Sequence, residues 1–252
     1  MARFYQNIQL KGFDEDLKKS LYNLKFSEKP IVIRKNKFNP QSLEKWGDFF
    51  TNACKFKRDR RQYYADCSSG ILDWWEISNQ PDKSFSYAFA TTPQPFHNDN
   101  AWFADAAEIN LFYMFKQAKV GGSQIFYPIS ILIEDLMREE KELFDDLSSI
   151  PVIISKGKDD YFNETTILKN EDRWRIFWNF YRTQKNSPEI NNMCENFFQF
   201  LDKKRTSKSI ERVRIESGES LAFNDQLVLH ARDSFRVSKP RERILYQSMW
   251  KV

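Results

Sequence analysis

The chain has 252 residues, 41% apolar and 16% aromatic, enough to bury one sizeable core, which excludes a disordered or fibrous class. Its 39 basic and 35 acidic residues are interspersed and leave a net charge of +4, so charge alone points to no nucleic-acid partner. Three cysteines without a CxxC pair argue against a disulfide framework and against a zinc knuckle.

No run approaches 18 apolar residues, so no membrane span is expected. The N-terminal MARFYQNIQLKGFDEDL lacks a continuous apolar stretch, so no secretory leader is expected either. A reduced, cytoplasmic setting is the expectation.

In chain order, DEDLKKSLYNLK (14–25) places Leu17, Leu21 and Leu24 at helical spacing, with Asp14 set to cap. IVIR (31–34) reads as a buried strand. PQSLEKWGDFFTNAC (40–54) reads as a helix with Pro40 in its first turn. The basic run FKRDRRQ (56–62) reads as a solvated loop rather than an anion-binding patch. FSYAFAT (85–91), EINLFYMF (108–115) and SQIFYPI (123–129) are aromatic and β-branched, and predict strands. A helix follows over 130–147, with Leu132, Leu136, Leu143 and Leu147 on one face. PVIIS (151–155) and WRIFWNFY (174–181) predict strands, and 188–204 a helix. ERVRIES, ESLAFND, QLVLHAR and RILYQSMW close the chain as strands. Strands in both halves with helices early and between them suggest a sandwich or barrel decorated by helices. One domain over 1–252 is expected: an N-terminal extension over 1–84 and a core over 85–252.

Chemistry concentrates on the two histidines. PFHNDNAW (95–102) holds His97 and Asp99, which share a face if the segment is extended. Such a pair can take two adjacent corners of a metal ion. Acidic residues are common here, so His-x-Asp alone is weak. The other histidine, His230, ends the apolar strand QLVLH. Two histidines and one carboxylate on one face, with the opposite positions open, suit a non-haem Fe(II) centre. Arg243 lies thirteen residues on; directed into a core, its guanidinium needs an anionic partner, which a dicarboxylate would supply.

The order PFHND, GGSQ (121–124), GESLAFND (218–225), HAR (230–232) and RERILYQ (241–247) resembles the Fe(II)/2-oxoglutarate-dependent oxygenases of the taurine dioxygenase and clavaminate synthase group, carbapenem synthase being a similar small member. The resemblance covers roughly 85–252. It implies a mainly β fold with flanking helices around a double-stranded β-helix (jelly-roll) core. It implies His97, Asp99 and His230 as iron ligands, Arg243 on the far carboxylate of 2-oxoglutarate, and O2 as oxidant. A threonine usual two residues after the glycine pair is replaced, so Gln124 or Ser123 takes its place. Gln247 stands where several relatives carry an arginine for an anionic substrate group.

The expected activity is hydroxylation of an unactivated C–H bond of a small, amino-acid-derived molecule, with release of succinate and CO2. Desaturation, cyclisation or epimerisation are the alternatives within the group, and a non-catalytic jelly-roll binding module is the alternative outside it. Asn100, Trp102, Phe103, Tyr87, Phe89, Arg232 and Gln247 are the candidate substrate-facing residues. The arginines of RWRIFWNFYR (173–182) are candidates to meet an acidic or zwitterionic ligand. Neither nucleic acid nor membrane is expected as a partner, and the oligomeric state stays open.

Overall fold

The computed structural model describes residues 4–35, 43–61, 73–84, 86–157, 161–207 and 210–252. Pro40, at the expected start of the second helix, lies outside them, as do Gln62, Cys67 and Phe85.

The N-terminal third supplies strands β1 (Gln6–Gln9), β2 (Ile31–Arg34), β3 (Lys57–Asp59) and β4 (Trp75–Ser78). The centre supplies β5 (Gln94–His97), β6 (Ile109–Lys116), β7 (Val120–Gly121), β8 (Gln124–Pro128), β9 (Val152–Ser155), β10 (Phe162–Thr165), β11 (Leu168–Asn170) and β12 (Trp174–Ile176). The C-terminal strands are β13 (Glu211–Val213), β14 (Ser220–Asn224), β15 (Val228–Arg232), β16 (Phe235–Arg236) and β17 (Ile244–Lys251). Helices are α1 (Glu15–Asn23), α2 (Leu43–Asp48), α3 (Ile129–Glu139), α4 (Lys141–Ser149) and α5 (Pro188–Lys204).

Two sheets face one another. The larger runs β1-β2-β14-β6-β17-β3, with β4 also on β17; the smaller runs β13-β8-β15-β5. Residues of the N-terminal extension join the larger sheet: β2 pairs with β14, while β3 and β4 pair with β17. Period-two alternation builds the layers. Phe112, Met114, Phe126, Phe223, Val228 and Leu245 fill the space between the sheets. Phe223 meets Phe112 at 5.3 Å and Phe126 at 5.1 Å, both edge-on, a favoured aromatic geometry. The alternate residues of β6 and β14 (Ile109, Leu111, Ala222) pack outward on Leu17, Leu21, Trp46 and Phe50. Those of β8 and β15 (Ile125, Tyr127, Leu229) pack on Leu132, Leu136, Leu147 and Phe197. This is the jelly roll with helices on both outer faces.

Helix ends follow local chemistry. Asp14 accepts from Leu17 N at 2.9 Å and Ser187 from Ile190 N at 3.1 Å, each satisfying an orphan donor. Pro188 opens α5, and Lys203 and Lys204 sit in its last turn, complementing the helix dipole.

Four expectations need correction. The helix over 130–147 is two helices, broken at Glu140 (φ −144°, ψ 60°). An unbroken helix would rotate its apolar stripe by about 60° between Leu132 and Leu147, and the break restores both ends to the core. The 40–54 helix passes into a π-helical turn over Phe49–Ala53. The described part of FSYAFAT is a turn rather than a strand: Phe89 N and Ala90 N both bond to Ser86 O. The 174–181 strand stops at Ile176. Beyond it, Trp178 N donates to Asn98 Oδ1 (3.0 Å) and Asn98 N to Trp178 O (2.7 Å), so this backbone serves the PFHND turn instead of a sheet.

The basic run also differs from a solvated loop. Its centre is β3, where Arg58 stacks on Trp250 at 4.6 Å and Arg61 pairs with Asp59 and Asp105, each at 2.8 Å. Among the described residues, no helix is long and apolar enough to cross a membrane.

Candidate active site

Antiparallel pairing of β5 with β15 sets His97 opposite His230, and their rings lie 4.2 Å apart between centroids. Asp99 follows β5 by two residues, in a turn rather than in extended chain. Its Oδ1 lies 3.6 Å from His97 Nε2 and its Oδ2 3.4 Å from His230 Nε2. Ligand atoms of all three fall within 4.8 Å of one another, close enough to share one ion.

Each imidazole is oriented from behind. His97 Nδ1 meets Pro95 O at 2.9 Å, which places its proton on Nδ1 and the lone pair on Nε2. His230 Nδ1 lies 3.0 Å from Asp225 Oδ1, a carboxylate–histidine arrangement that steers metal ligands. The other oxygen of Asp225 accepts from Asp99 N at 2.8 Å, so one buried carboxylate positions two of the three residues. Asn98 works alongside: its side-chain nitrogen donates to Asp225 O and to Val228 O. Asp99 Oδ2 also accepts from Asn110 (2.8 Å) and Gln247 (2.6 Å). Gln94 Nε2 contacts His97 Nε2 at 2.9 Å, on the lone pair a metal would take.

The charges of the three groups are coupled. Burial would raise the Asp99 carboxyl, but the charges of His230 and His97 outweigh it and hold the group well below the usual range. Burial, with the neighbouring His230, pushes His97 down toward the neutral imidazole that a metal binds. His230 goes up: burial opposes its charge, yet Asp225 and Asp99 together prevail.

Beside the triad, Arg243 is 1% exposed, and its Nε and Nη2 meet no acceptor among the described residues. Burial, together with Arg232 and Arg214, pushes its pKa well below the ordinary arginine value. A buried guanidinium with open donors is costly and fits the carboxylate of a small acid. Gln124 lines the same pocket, together with Phe112, Leu245 and Arg232. Ser123 does not; its carbonyl accepts from Asp233 N. The glycine pair makes room: a Cβ on Gly122 (φ +75°) would stand 3.2 Å from Arg243 Nε.

A wider cleft of about 520 Å³ opens from His97 and Asp99, within the usual range for a small-molecule site. Tyr87, Phe89, Asn100, Trp102 and Gln247 line it, and Tyr87 and Tyr181 join hydroxyls across it at 2.8 Å. Phe103 does not line it; it packs on Tyr161 at 5.0 Å and under Arg61 at 4.3 Å. Arg232 is not in its wall either. Its Nη2 collects the carbonyls of Tyr87, Ala90 and Thr92 at 2.8–3.1 Å and so draws residues 86–92 into their turn. Arg241, beside the expected co-substrate arginine, points away and pairs with Glu76. Of the arginines in 173–182, Arg173 bonds Lys25 O and Arg175 bonds Asp172, while Arg182 reaches the cleft.

Asp225, Asn98, Asn110 and Gln94 are not singled out by sequence reasoning. An aspartate and an asparagine in GESLAFND and PFHND are ordinary residues until the strands bring 98, 225 and 230 together. Lys156, which also lines the cleft, carries no sequence signal.

Solved structures share this architecture. An asparagine oxygenase in complex with Fe(II), 2S,3S-3-hydroxyasparagine and succinate superposes with a TM-score of 0.72 at 13% identity, over 94% of this chain and 79% of that one. The non-heme iron oxygenase OrfP, in complex with Fe and alpha-ketoglutaric acid, gives 0.67 at 12% identity over 95% and 80%. A taurine dioxygenase from Burkholderia xenovorans gives 0.67 at 11% over 99% and 88%. No curated protein sequence matches the chain. The model of the family described as taurine catabolism dioxygenase TauD, TfdA family, matches residues 3–249. With nearly the whole chain matched and two histidines and an aspartate gathered in its jelly roll, the protein belongs to the TauD/TfdA family of Fe(II)- and 2-oxoglutarate-dependent dioxygenases.

Proposed function

We propose that the protein hydroxylates an unactivated C–H bond of a small amino-acid-like substrate, with His97, Asp99 and His230 holding Fe(II) and Arg243 holding the far carboxylate of 2-oxoglutarate. The observation that carries this reading is the pairing of the triad with the open donors of buried Arg243 in one pocket. Two imidazoles and a carboxylate suit Fe(II) and leave positions free, and a planar guanidinium suits a carboxylate. Bound there, iron with 2-oxoglutarate and O2 supplies the oxidising chemistry, and 2-oxoglutarate leaves as succinate and CO2.

The chain's own part is positioning. Asp225 and Pro95 O aim the two imidazoles, while Asn110 and Gln247 fix the Asp99 carboxylate. Gln124 adds an amide donor beside Arg243 in place of the usual hydroxyl. Phe112, Ile77 and Leu245 line the co-substrate pocket with apolar surface, keeping water from the charges it holds. Tyr87, Phe89 and Trp102 shape the adjoining cleft, where one C–H bond is brought to the centre. An amino-acid-like substrate is supported by two structural relatives, whose complexes hold hydroxyasparagine and hydroxy-L-Arg.

The test is an aerobic screen of Fe(II)-loaded protein with 2-oxoglutarate against amino acids and their derivatives. The expected result is substrate-stimulated succinate release with gain of one oxygen atom in the product, both lost in Asp99→Ala. A product that has lost two hydrogens instead would assign desaturation or ring closure. Undiminished turnover in Asp99→Ala would overturn the ligand assignment.

A further inference from the structure

The cleft is polarised. Lys156 and Arg182 lie in its wall, and Asp99 is the one carboxylate among its described lining residues. Asp99 is committed to the triad, so no described carboxylate is left to receive a substrate cation. The two cations come from separate segments that the backbone joins: Ser155 N donates to Arg182 O at 2.9 Å, and Ile154 bridges to Thr183. Lys156 is half-buried, with Nζ 4.3 Å over the Trp102 ring, and Arg182 stands exposed at the mouth. Burial, and after it the charge of Arg182, lowers the Lys156 pKa to about 8, while Asp99 acts in the opposite direction. Two like charges held side by side favour an anion between them.

The position where relatives carry a substrate-binding arginine is spent differently here. Gln247 donates to Asp99 Oδ2 and to Asn110 Oδ1 (3.0 Å), so it belongs to the metal side of the cleft. We infer that Lys156, backed by Trp102 and assisted by Arg182, anchors a carboxylate of the substrate in this cleft, so that the protein selects carboxylic acids over their neutral or cationic amide counterparts. This inference rests on the oxygenase reading above and names the substrate class for the same cleft. Arg182, at the solvent edge, steers and secures the anion, and Lys156 makes the inner contact.

The test begins with 2-oxoglutarate titrated calorimetrically into Mn(II)-loaded wild-type protein. No binding at this step would overturn the oxygenase reading itself, and the inference falls with it. With binding established, the loaded protein is titrated with the twenty amino acids, their N-acetyl derivatives and their carboxamides. Binding confined to members with a free carboxylate is expected. For the tightest binder, Lys156→Met is expected to weaken binding about 10- to 100-fold, as for a charge-assisted hydrogen bond. Lys156→Arg should restore most of it, which a variant that merely misfolds would not show. Arg182→Met should weaken binding about 3- to 10-fold, and less at high salt. Carboxamides bound as tightly as the acids, no carboxylate bound at millimolar concentration, or Lys156→Met within twofold of wild type would each overturn the inference.

Discussion

Replacing Arg243 with methionine separates binding from stability by sign. The guanidinium is buried, and Nε and Nη2 have no acceptor among the described residues. In the complex those two donors would meet one carboxylate. Hydrogen bonds to charged groups contribute about 1.5–3 kcal/mol each, so losing two costs about 3–6 kcal/mol. That is a fall of about 10²- to 10⁴-fold in 2-oxoglutarate affinity. In the free protein the same substitution removes a buried charge held next to Arg232 and keeps most of the volume, so the unfolding midpoint should hold or rise. Co-substrate at a hundred times its dissociation constant should stabilise wild type by about 2.7 kcal/mol, a rise of about 5–10 °C for a chain of this size. The variant should show no such rise. Calorimetry and thermal unfolding on Mn(II)-loaded protein read both effects. Affinity within threefold of wild type, or a large drop in the midpoint of the free protein, would refute the reasoning.

Asp225→Ala leaves the Asp99 and His230 side chains in place but removes the carboxylate that orients them, so Mn(II) affinity should fall about 10- to 100-fold, as measured by equilibrium dialysis. Gly121→Ala should destabilise the fold by several kcal/mol, since its Cβ would stand 2.1 Å from Ser234 O at φ +79°; urea unfolding checks this. Burial raises the Asp135 carboxyl, but its bonds from Tyr127 (2.6 Å) and Lys204 (3.2 Å), with Arg138, hold it below its ordinary value. A carboxyl with a depressed folded pKa contributes stability that is full above the unfolded value of about 3.9 and is lost as pH falls through the folded one. The gap in urea midpoint between wild type and Asp135→Asn should therefore be wide at pH 6 and close toward pH 3.

The triad is legible in the sequence because histidine is scarce here and strand alternation is local. His97 and His230 each need only the rule that alternate residues share a face, and Arg243 stands out because it heads the strand ILYQSMW thirteen residues after His230. Asp99 is identified for a partly wrong reason, since it sits in a turn and is held by Asp225, Asn110 and Gln247 rather than by extended chain. The misread segments share a cause. Residues 86–92 have strand composition, but Arg232, 140 residues beyond Thr92, gathers three of their carbonyls. Trp178 has strand composition too, but its backbone pairs with Asn98. The short strands β1, β3 and β4 escape sequence reading because they exist only as partners of β2 and β17. Lys156 and Arg182 come to line one cleft through the backbone bond from Ser155 N to Arg182 O, a long-range match that neither local composition nor spacing announces.

The most direct test of the central claim is stoichiometric turnover of 2-oxoglutarate by the protein loaded with one Fe(II) per chain and exposed to O2. The account predicts succinate formed one for one with 2-oxoglutarate consumed, accelerated by a carboxylate-bearing substrate and absent in Asp99→Ala and His230→Ala. Full iron loading and bound 2-oxoglutarate without any succinate, or succinate formed equally well by both variants, would contradict it.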